Sequence, residues 1–251
     1  MLGVVGNLLV MVAVVVIAVA GSGNAGAAAS KPPTAVLTVA AIEPTPGEVV
    51  GIAQPVSVSF TTPVKDRAAA EQTIDIASPK ATPGRFTWVN DRIVQWEPDG
   101  FWPAYTPVTV AAGGMSTSFE TGAAVLAIAD ISEHTLTVSI DAQVVREMPA
   151  SLGKRGFDTP VGTFQVLERQ RRVVFDSRTI GIPLESPEGY LINGEYGVRI
   201  TWGGVYVHSA PWSVASQGNA NVSHGCINLS PDNAAWYFDT VRLGDPVIVQ
   251  S

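Results

Sequence analysis

The chain has 251 residues, 46% of them hydrophobic and only 15% charged, with a formal net charge of −7. This length allows two modest domains, or one domain and a membrane segment. The negative charge argues against a nucleic-acid-binding protein, because contacts to phosphates require a basic surface. The sequence contains one cysteine, which excludes a disulfide within the chain. In an exported protein such a residue is either an intermolecular partner or a free thiol that can react.

The amino terminus predicts export. The run from Leu8 to Ala20 is apolar and uncharged, and the small residues at 25–29 suit an Ala-x-Ala cleavage site. The uncharged stretch from Leu2 to Ala20 is also nearly long enough to span a bilayer, so a cleaved signal peptide and a retained anchor both stay open. We expect residues 1–33 to comprise this segment and a flexible tether, and the rest of the chain to be extracytoplasmic.

Residues 34–121 predict an immunoglobulin-like β-sandwich. Val56–Phe60 alternates apolar and polar residues, as a half-buried strand does. Two further alternating runs within residues 85–96 surround Asn90-Asp91, which favours a hairpin whose turn tolerates positive φ. Short strands at this spacing are typical of a sandwich. The stretch has no cluster of ionisable residues that suggests chemistry, so we interpret this domain as a spacer.

Residues 122–251 predict a second, β-rich domain with a helix near its end, which makes the chain mainly β. Residues 169–194 are long, mixed and rich in Arg, and we interpret them as an excursion or lid. Ser230 is a natural N-cap before Pro231, and the helix should run to about Thr240. Asp141-Ala142 indicates a turn. The stretches expected to form strands are residues 124–129, 135–140, 205–207 and 246–249.

The residues suited to chemistry are concentrated between His208 and Asn228. This stretch holds the only cysteine, Cys226, and two of the three histidines. A His activates a thiol because its pKa near neutrality lets it accept the thiol proton. We therefore predict that Cys226 is a nucleophile and His208 its base. Gly225 permits a sharp turn, which would let backbone N–H groups near Cys226 face an acyl oxyanion.

Other interpretations of the same residues stay open at this point. A free cysteine is often a small buried hydrophobe, and His208 could be a satisfied core histidine. His208, His224 and Cys226 also offer three ligands for a catalytic zinc ion, although no carboxylate base lies beside them. Both histidines and the sole cysteine fall within 19 residues, which favours the nucleophile over these alternatives.

The stretch from His208 to Asn228 resembles the signature of the L,D-transpeptidases, the YkuD-type enzymes of the bacterial cell wall. In that family a His precedes an (S/T)-H-G-C-x-N box, which residues 223–228 match as Ser-His-Gly-Cys-Ile-Asn. Residues 159–164 (TPVGTF) are similar to the family's upstream T-P-x-G-x-F stretch. Residues 186–190 and 208–213 resemble the mycobacterial branch, whose exported, anchored chains carry immunoglobulin-like spacers before the catalytic domain.

This resemblance implies a cysteine acyltransferase of the cell envelope, membrane-anchored or secreted to the cell wall, without a metal or cofactor. Cys226 would attack the carbonyl of the third residue of a peptidoglycan stem tetrapeptide and release D-Ala. His208 would accept the thiol proton, its ring held by the backbone carbonyl of Ser209. The amine of diaminopimelate on a second stem would then complete a 3→3 cross-link. Carbapenems would acylate the same thiol.

The family also implies a set of residues that frame the substrate. Gly203 and Gly204 would form a strand edge for the stem peptide, and Tyr190 would reach it from the lid. The full implied set is Tyr190, Gly203, Gly204, His224, Gly225 and Asn228.

Related activities differ in ways that the sequence partly separates. Papain-like NlpC/P60 hydrolases place Cys before His, which is the reverse of the order here. Sortases require an Arg shortly after the Cys, whereas the first Arg after Cys226 is Arg242. An L,D-carboxypeptidase, with water as acceptor, and a non-catalytic wall-binding protein both remain as alternatives.

Overall fold

The first part of the structure is a sandwich of two four-stranded sheets around one hydrophobic core. The computed structural model describes residues 37–251, so the predicted export segment and tether lie outside the described residues. The first strands are β1 (Val39–Glu43), β2 (Val49–Val50), β3 (Val56–Phe60), β4 (Ile74–Ala77), β5 (Gly84–Trp88), β6 (Ile93–Pro98), β7 (Pro107–Ala112) and β8 (Met115–Thr121). One sheet has the order β1-β3-β6-β5 and the other β2-β8-β7-β4. The short helix α1 (Arg67–Glu71) precedes β4.

The core of this sandwich follows from the alternation along its strands. In β3, Val56, Val58 and Phe60 are buried while the serines between them are half-buried, as the sequence predicts. Trp102 lies in the same core, 2% exposed. Its Nε1 donates a hydrogen bond to the Gln54 carbonyl at 2.8 Å, which satisfies the polar atom that the buried indole carries.

The predicted hairpin between β5 and β6 is confirmed, but its turn closes in a different way from the one expected. Neither Asn90 nor Asp91 has a positive φ. Instead, Asn90 Oδ1 accepts hydrogen bonds from the backbone N–H groups of Arg92 at 2.8 Å and Ile93 at 2.9 Å. The Asn side chain therefore takes the place of a backbone turn.

The second part of the structure contains two more sheets and carries the candidate site. Its strands are β9 (Val125–Asp130), β10 (Thr135–Ile140), β11 (Gln143–Pro149), β12 (Gly162–Gln165), β13 (Glu168–Asp176), β14 (Leu191–Arg199), β15 (Tyr206–Ser209), β16 (Ile227–Leu229) and β17 (Pro246–Gln250). The sheet orders are β11-β10-β9-β17-β12 and β13-β14-β15-β16. The turn at Asp141-Ala142 is confirmed, with φ of 50° and 65°, and joins β10 to β11.

Helix α2 (Pro231–Thr240) begins and ends where the sequence predicts. The side chain of Ser230 accepts a hydrogen bond from the backbone N–H of Asn233 at 3.4 Å, so it caps the helix. Ala234 and Tyr237 are buried and pack the helix onto the core of the second part. Within residues 37–251, no helix is long and apolar enough to cross a membrane.

Residues 169–194 differ from the sequence-based expectation of an irregular excursion. Most of them belong to β13 and β14, which pair along their length as an antiparallel hairpin. The strand pattern is hidden in the sequence because β13 is largely solvent-facing, with Val173 its only buried residue. The tip of the hairpin, residues 177–190, begins with a short 3-10 helix and is named the lid below.

The two parts are joined by backbone contacts. The N–H of Gly51 donates to the carbonyl of Leu243 at 2.7 Å, and the N–H of Ala53 donates to that of Gly244 at 2.8 Å. A Cβ on Gly51 would lie 2.0 Å from the backbone nitrogen of Asp245, so a side chain does not fit here. The close approach of the two backbones therefore depends on glycine.

Asp245 is a buried carboxyl group at this junction. It is 1% exposed, and its Oδ2 accepts a hydrogen bond from the backbone N–H of Arg242 at 2.8 Å. Its Oδ1 has no hydrogen-bond partner among residues 37–251. Burial raises the pKa of Asp245 to about 7, because desolvation disfavours the ionised form.

Candidate active site

The site forms where two buried strands run parallel. Strands β15 and β16 pair with His208 opposite Asn228, and every residue of both strands is buried. Cys226 immediately precedes β16, so it lies at the end of this rigid pair. The sequence-predicted base and nucleophile line one cavity of about 260 Å³, together with Asn228 and Tyr190. The fold thus brings together residues that a loop separates along the chain.

The ring of His208 is buried and oriented by its neighbour. Its Nδ1 lies 2.8 Å from the backbone carbonyl of Ser209, as the resemblance implies. Because a carbonyl only accepts hydrogen bonds, Nδ1 carries the proton and Nε2 is left with a lone pair. The rings of Phe175 and Trp212 flank it, with centroids 4.3 Å and 5.9 Å away. This packing restricts rotation of the imidazole.

Burial shifts the protonation of both reacting groups toward their neutral forms. It lowers the pKa of His208 to about 4, against a smaller opposite effect of the hydrogen bond to the Ser209 carbonyl. Desolvation by the surrounding protein raises the pKa of the Cys226 thiol to about 11, and a hydrogen bond from the backbone of Tyr206 opposes this shift. Part of the residue is nevertheless accessible from the cavity. At neutral pH the pair therefore rests as imidazole and thiol.

The glycines expected at a strand edge lie in a turn instead. Gly203 and Gly204 belong to the turn between β14 and β15, and Gly204 has φ of 99°. The resemblance was therefore wrong about the strand edge, because β15 begins only at Tyr206. The turn is nevertheless close to the nucleophile, since the Cys226 thiol lies 3.7 Å from the Gly204 carbonyl.

The backbone before Cys226 is held in place by side chains. Gly225 has φ of 111°, which confirms that this position needs a glycine. Its N–H donates to Ser223 Oγ at 3.1 Å, and its carbonyl accepts from Thr159 Oγ1 at 3.0 Å. The Gly225 N–H is therefore engaged and is not a free oxyanion donor in this conformation.

Asn228 is buried beneath the cavity and has a partner that sequence reasoning missed. Its Nδ2 donates to Ser213 Oγ at 3.1 Å, and both residues line the cavity. Ser213 ends a short 3-10 helix, Pro211–Ser213, that follows β15, and its hydroxyl also donates to the Ala210 carbonyl at 3.3 Å. Ser213 ends the stretch 208–213 that resembles the mycobacterial branch, but nothing in the sequence indicates its bond to Asn228. The bond fixes the amide of Asn228 at the cavity wall.

His224 faces the lid instead of the His208–Cys226 pair. Its Nε2 lies 2.7 Å from Glu188 Oε2, and Lys154 Nζ lies 2.6 Å from the same oxygen. The ring of Tyr190, the lid residue named from the resemblance, packs 5.0 Å from the His224 ring. Lys154 and Glu188 were not predicted, because their contact spans 34 residues of sequence.

The zinc alternative finds no ligand set in the described structure. Among residues 37–251, no group of three or more His, Cys, Asp or Glu side chains is arranged to hold a metal ion. His224 bonds to Glu188, whereas His208 bonds to the carbonyl of Ser209. The arrangement that remains is a thiol and a correctly oriented imidazole in one cavity, which is suited to acyl transfer through a thioester.

Comparison with known proteins agrees with this arrangement. The family of YkuD L,D-transpeptidase catalytic domains matches residues 124–249, and a bacterial Ig domain matches residues 27–114. L,D-transpeptidase 1 of Mycobacterium tuberculosis is 54% identical to the chain over 246 residues, which cover 98% of both proteins.

Solved structures show the same similarity. An LD transpeptidase in complex with imipenem is 57% identical, with a TM-score of 0.83, over 85% of this chain and 99% of the other. An L,D-transpeptidase from Mycobacterium smegmatis is 59% identical, with a TM-score of 0.82, over 86% of this chain and 99% of the other. Together with the cavity that holds Cys226 and His208, these matches show that the chain belongs to the L,D-transpeptidase family, as an immunoglobulin-like domain followed by a YkuD catalytic domain.

Proposed function

We propose that this L,D-transpeptidase forms 3→3 cross-links between peptidoglycan stems through a thioester on Cys226. The observation that carries the proposal is that Cys226 and His208 line one cavity, with the Nδ1 proton of His208 directed at the Ser209 carbonyl. This leaves Nε2 to act as the base. The donor substrate is a stem tetrapeptide, and its terminal D-Ala is the leaving group.

Acylation begins from the neutral pair. The Cys226 thiol gives its proton to His208 Nε2 as the sulfur attacks the carbonyl carbon of the third stem residue. The carbon–nitrogen bond to D-Ala then breaks, and the imidazolium returns the proton to the departing amine. Because burial raises the pKa of the resting thiol, we expect the proton to move as the carbon–sulfur bond forms.

The orienting group of His208 sets a limit on the rate. A backbone carbonyl stabilises an imidazolium less than a carboxylate does, and the ring is 3% exposed, so water contributes little. The pKa of about 4 expresses this cost, since the protonated ring is disfavoured at its site. We therefore expect modest turnover, limited by steps in which His208 carries the proton.

The acceptor decides the product. The side-chain amine of diaminopimelate on a second stem attacks the thioester, passes a proton to His208, and regenerates the Cys226 thiol as the amide forms. With water in place of the amine, the same thioester would yield a tripeptide, and the enzyme would be an L,D-carboxypeptidase. The similarity to L,D-transpeptidase 1 over nearly its full length favours the amine.

The substrate-binding residues are proposals of the same kind. Tyr190 and Asn228 line the cavity and are suited to contact the stem peptide. Gly203 and Gly204 present their turn beside the thiol, and the backbone from His224 to Cys226 surrounds the reacting carbonyl. A similar enzyme is bound to imipenem in its solved structure, which supports acylation of Cys226 by carbapenems here.

The first domain and the export segment complete the proposal. We infer that residues 34–121 act as a spacer and that residues 122–251 are the catalytic domain, in a protein exported to the cell envelope. The apolar run at Leu8–Ala20 supports export, either as a signal peptide or as an anchor. A spacer between an anchor and the enzyme would bring the cavity closer to the wall.

One incubation tests the proposal. The purified protein is mixed with disaccharide-tetrapeptide, and the products are separated and weighed by mass spectrometry. A cross-linked dimer, with loss of one D-Ala, is the expected product, and the Cys226→Ala variant should form none. Tripeptide alone would replace the proposal by the carboxypeptidase, and binding without any product in the wild type would favour the wall-binding protein.

A further inference from the structure

A single carboxylate joins the lid to the rest of the catalytic domain. Glu188 Oε2 accepts hydrogen bonds from Lys154 Nζ at 2.6 Å and from His224 Nε2 at 2.7 Å. Within residues 37–251, these are the only hydrogen bonds between the lid and residues outside the β13–β14 hairpin. The remaining hydrogen bonds of the lid lie within it or reach the adjoining Asp176.

Both donors lie in the two paired backbone segments beside the nucleophile, residues 153–154 and 223–226. The backbone N–H of Lys154 donates to the Ser223 carbonyl at 3.0 Å, and Gly153 bridges to the same serine. His224 lies two residues before Cys226 in the same segment. The position of Glu188 is therefore set relative to the thiol, across a short and well-bonded stretch of backbone.

Aromatic packing places the lid against the same histidine. The centroid of the His224 ring lies 4.7 Å from that of the Phe157 ring and 5.0 Å from that of the lid's Tyr190. Pro187, Glu188, Gly189 and Tyr190 all line the cavity that holds Cys226. Closing the lid on His224 thus also closes one wall of the cavity.

The contact is suited to opening as well as closing. The side chains of Lys154, Glu188 and His224 are 31%, 43% and 19% exposed, so solvent screens their attraction. Partly exposed ion pairs of this kind contribute modestly to stability. Such a contact can break and re-form at a low cost in free energy.

We propose that Glu188 is a positioning residue, which with Lys154 and His224 forms a latch that holds the lid closed over Cys226. The inference rests on the proposed role of Cys226, since the latch acts by controlling access to that thiol and the placement of the stem peptide beside it. Glu188 itself takes no part in the chemical steps.

Alkylation of the thiol tests the latch independently of cross-linking. Iodoacetamide can label only one cysteine in this chain; the carbon–sulfur bond forms, iodide leaves, and the thiol proton passes to solvent. In the full-length protein, Glu188→Gln and Lys154→Met should each speed alkylation by about threefold, because each weakens a partly exposed ion pair. Glu185→Gln, at an exposed lid carboxylate with no bonded partner among residues 37–251, should match the wild type.

The pair of variants separates an open lid from a change in local charge. Removal of a negative charge lowers a thiol pKa, and removal of a positive charge raises it. Charge alone would therefore speed alkylation in Glu188→Gln and slow it in Lys154→Met, and that result would overturn the latch. Alkylation of Glu188→Gln at the wild-type rate would overturn it too.

Cross-linking kinetics provide the second arm of the test. Glu188→Gln should lower kcat/KM for the tetrapeptide while alkylation becomes faster, and Glu188→Asp should restore part of both values. A variant that had merely lost structure would not recover in this way. If the wild type forms no dimer, the proposed function fails, but the alkylation rates still decide whether the latch exists.

Discussion

Buried polar side chains distinguish the two parts of the molecule. Between residues 37 and 121 the buried polar residues are threonines whose hydroxyls bond to backbone carbonyls, as Thr117 does to Pro44 at 3.1 Å. Between residues 122 and 251 they include an imidazole, two amides and a carboxyl group, among them His208, Asn228 and Asp245. Burial of such groups opposes folding unless each is paired.

The difference assigns the two parts different roles. The first part has a core of apolar and aromatic side chains, so substitutions there should act mainly on stability. The second part buries the imidazole of His208, which costs free energy, and this residue lines the cavity. Substitutions in the two parts should therefore separate stability from rate.

The largest effect is expected at His208. His208→Ala removes the base and should lower kcat for cross-linking by about 10²–10⁴-fold, the range typical of a general base. Circular dichroism should show that the variant still folds, since the backbone pairing of β15 with β16 does not depend on this ring. A kcat within a factor of about two of the wild type would place the base elsewhere.

In the first part, the matching change is Trp102→Ala. Trp102 is buried between Trp96 and Phe119, with ring centroids 5.0 Å and 6.1 Å away. Its truncation should lower the free energy of unfolding by about 3–5 kcal/mol, because it leaves a large cavity. The imipenem acylation rate of the folded protein should stay unchanged at low temperature. A slower acylation would mean that the spacer influences the cavity.

The features that could be predicted from the sequence are those that a short stretch of the chain determines. Alternation predicted β3 and β10, and the Ser-Pro pair at 230–231 predicted the helix, because local sequence determines these elements. The His–Cys pair was recognisable because it lies within one short stretch. By contrast, Glu188 and Lys154 meet across 34 residues, so only the folded chain reveals their contact.

Other features were hidden for identifiable physical reasons. The strand character of β13 was missed since its surface-facing residues do not alternate apolar with polar. The hydrogen bond from the Gly225 N–H to the Ser223 hydroxyl was missed because it depends on how the backbone turns at Gly225, which only the folded chain shows. The sequence likewise offered no sign that Asp245 would be buried at the junction between the parts.

The free-energy cost of burying the Asp245 carboxyl group should appear as a dependence of stability on pH. Its folded pKa of about 7 lies above the value of 3.8 for an exposed Asp, so the folded state binds the proton more tightly. The stability that this proton contributes is full below pH 4 and is lost as the pH rises to 7. Asp245→Asn should therefore raise the free energy of unfolding on the order of 3 kcal/mol at pH 8.

Urea unfolding at two pH values measures this effect. Wild type and Asp245→Asn should differ little at pH 4, where the carboxyl is protonated in the folded protein. A difference of the same size at both pH values would show that the carboxylate charge is not its cause.

The smallest effect on stability is expected at Gly51, where the backbones of the two parts meet. Gly51→Ala places a Cβ 2.0 Å from the backbone of Asp245, so the two parts must separate slightly. Overpacking of this kind costs about 1–3 kcal/mol. Thermal unfolding should detect the loss, with Gly100→Ala as the control, because Gly100 lies in the same part, its φ is not positive and an added Cβ there meets nothing. An equal or smaller loss at Gly51 would contradict the close contact.

The central claim is that Cys226 is the acylated nucleophile. Imipenem is incubated with the wild-type protein and with Cys226→Ala, and the intact mass of each is measured. We expect one covalent adduct on the wild type and none on the variant, whose circular dichroism should match the wild type. An adduct that persists on Cys226→Ala would contradict it, since the chain has no second cysteine to form a thioester.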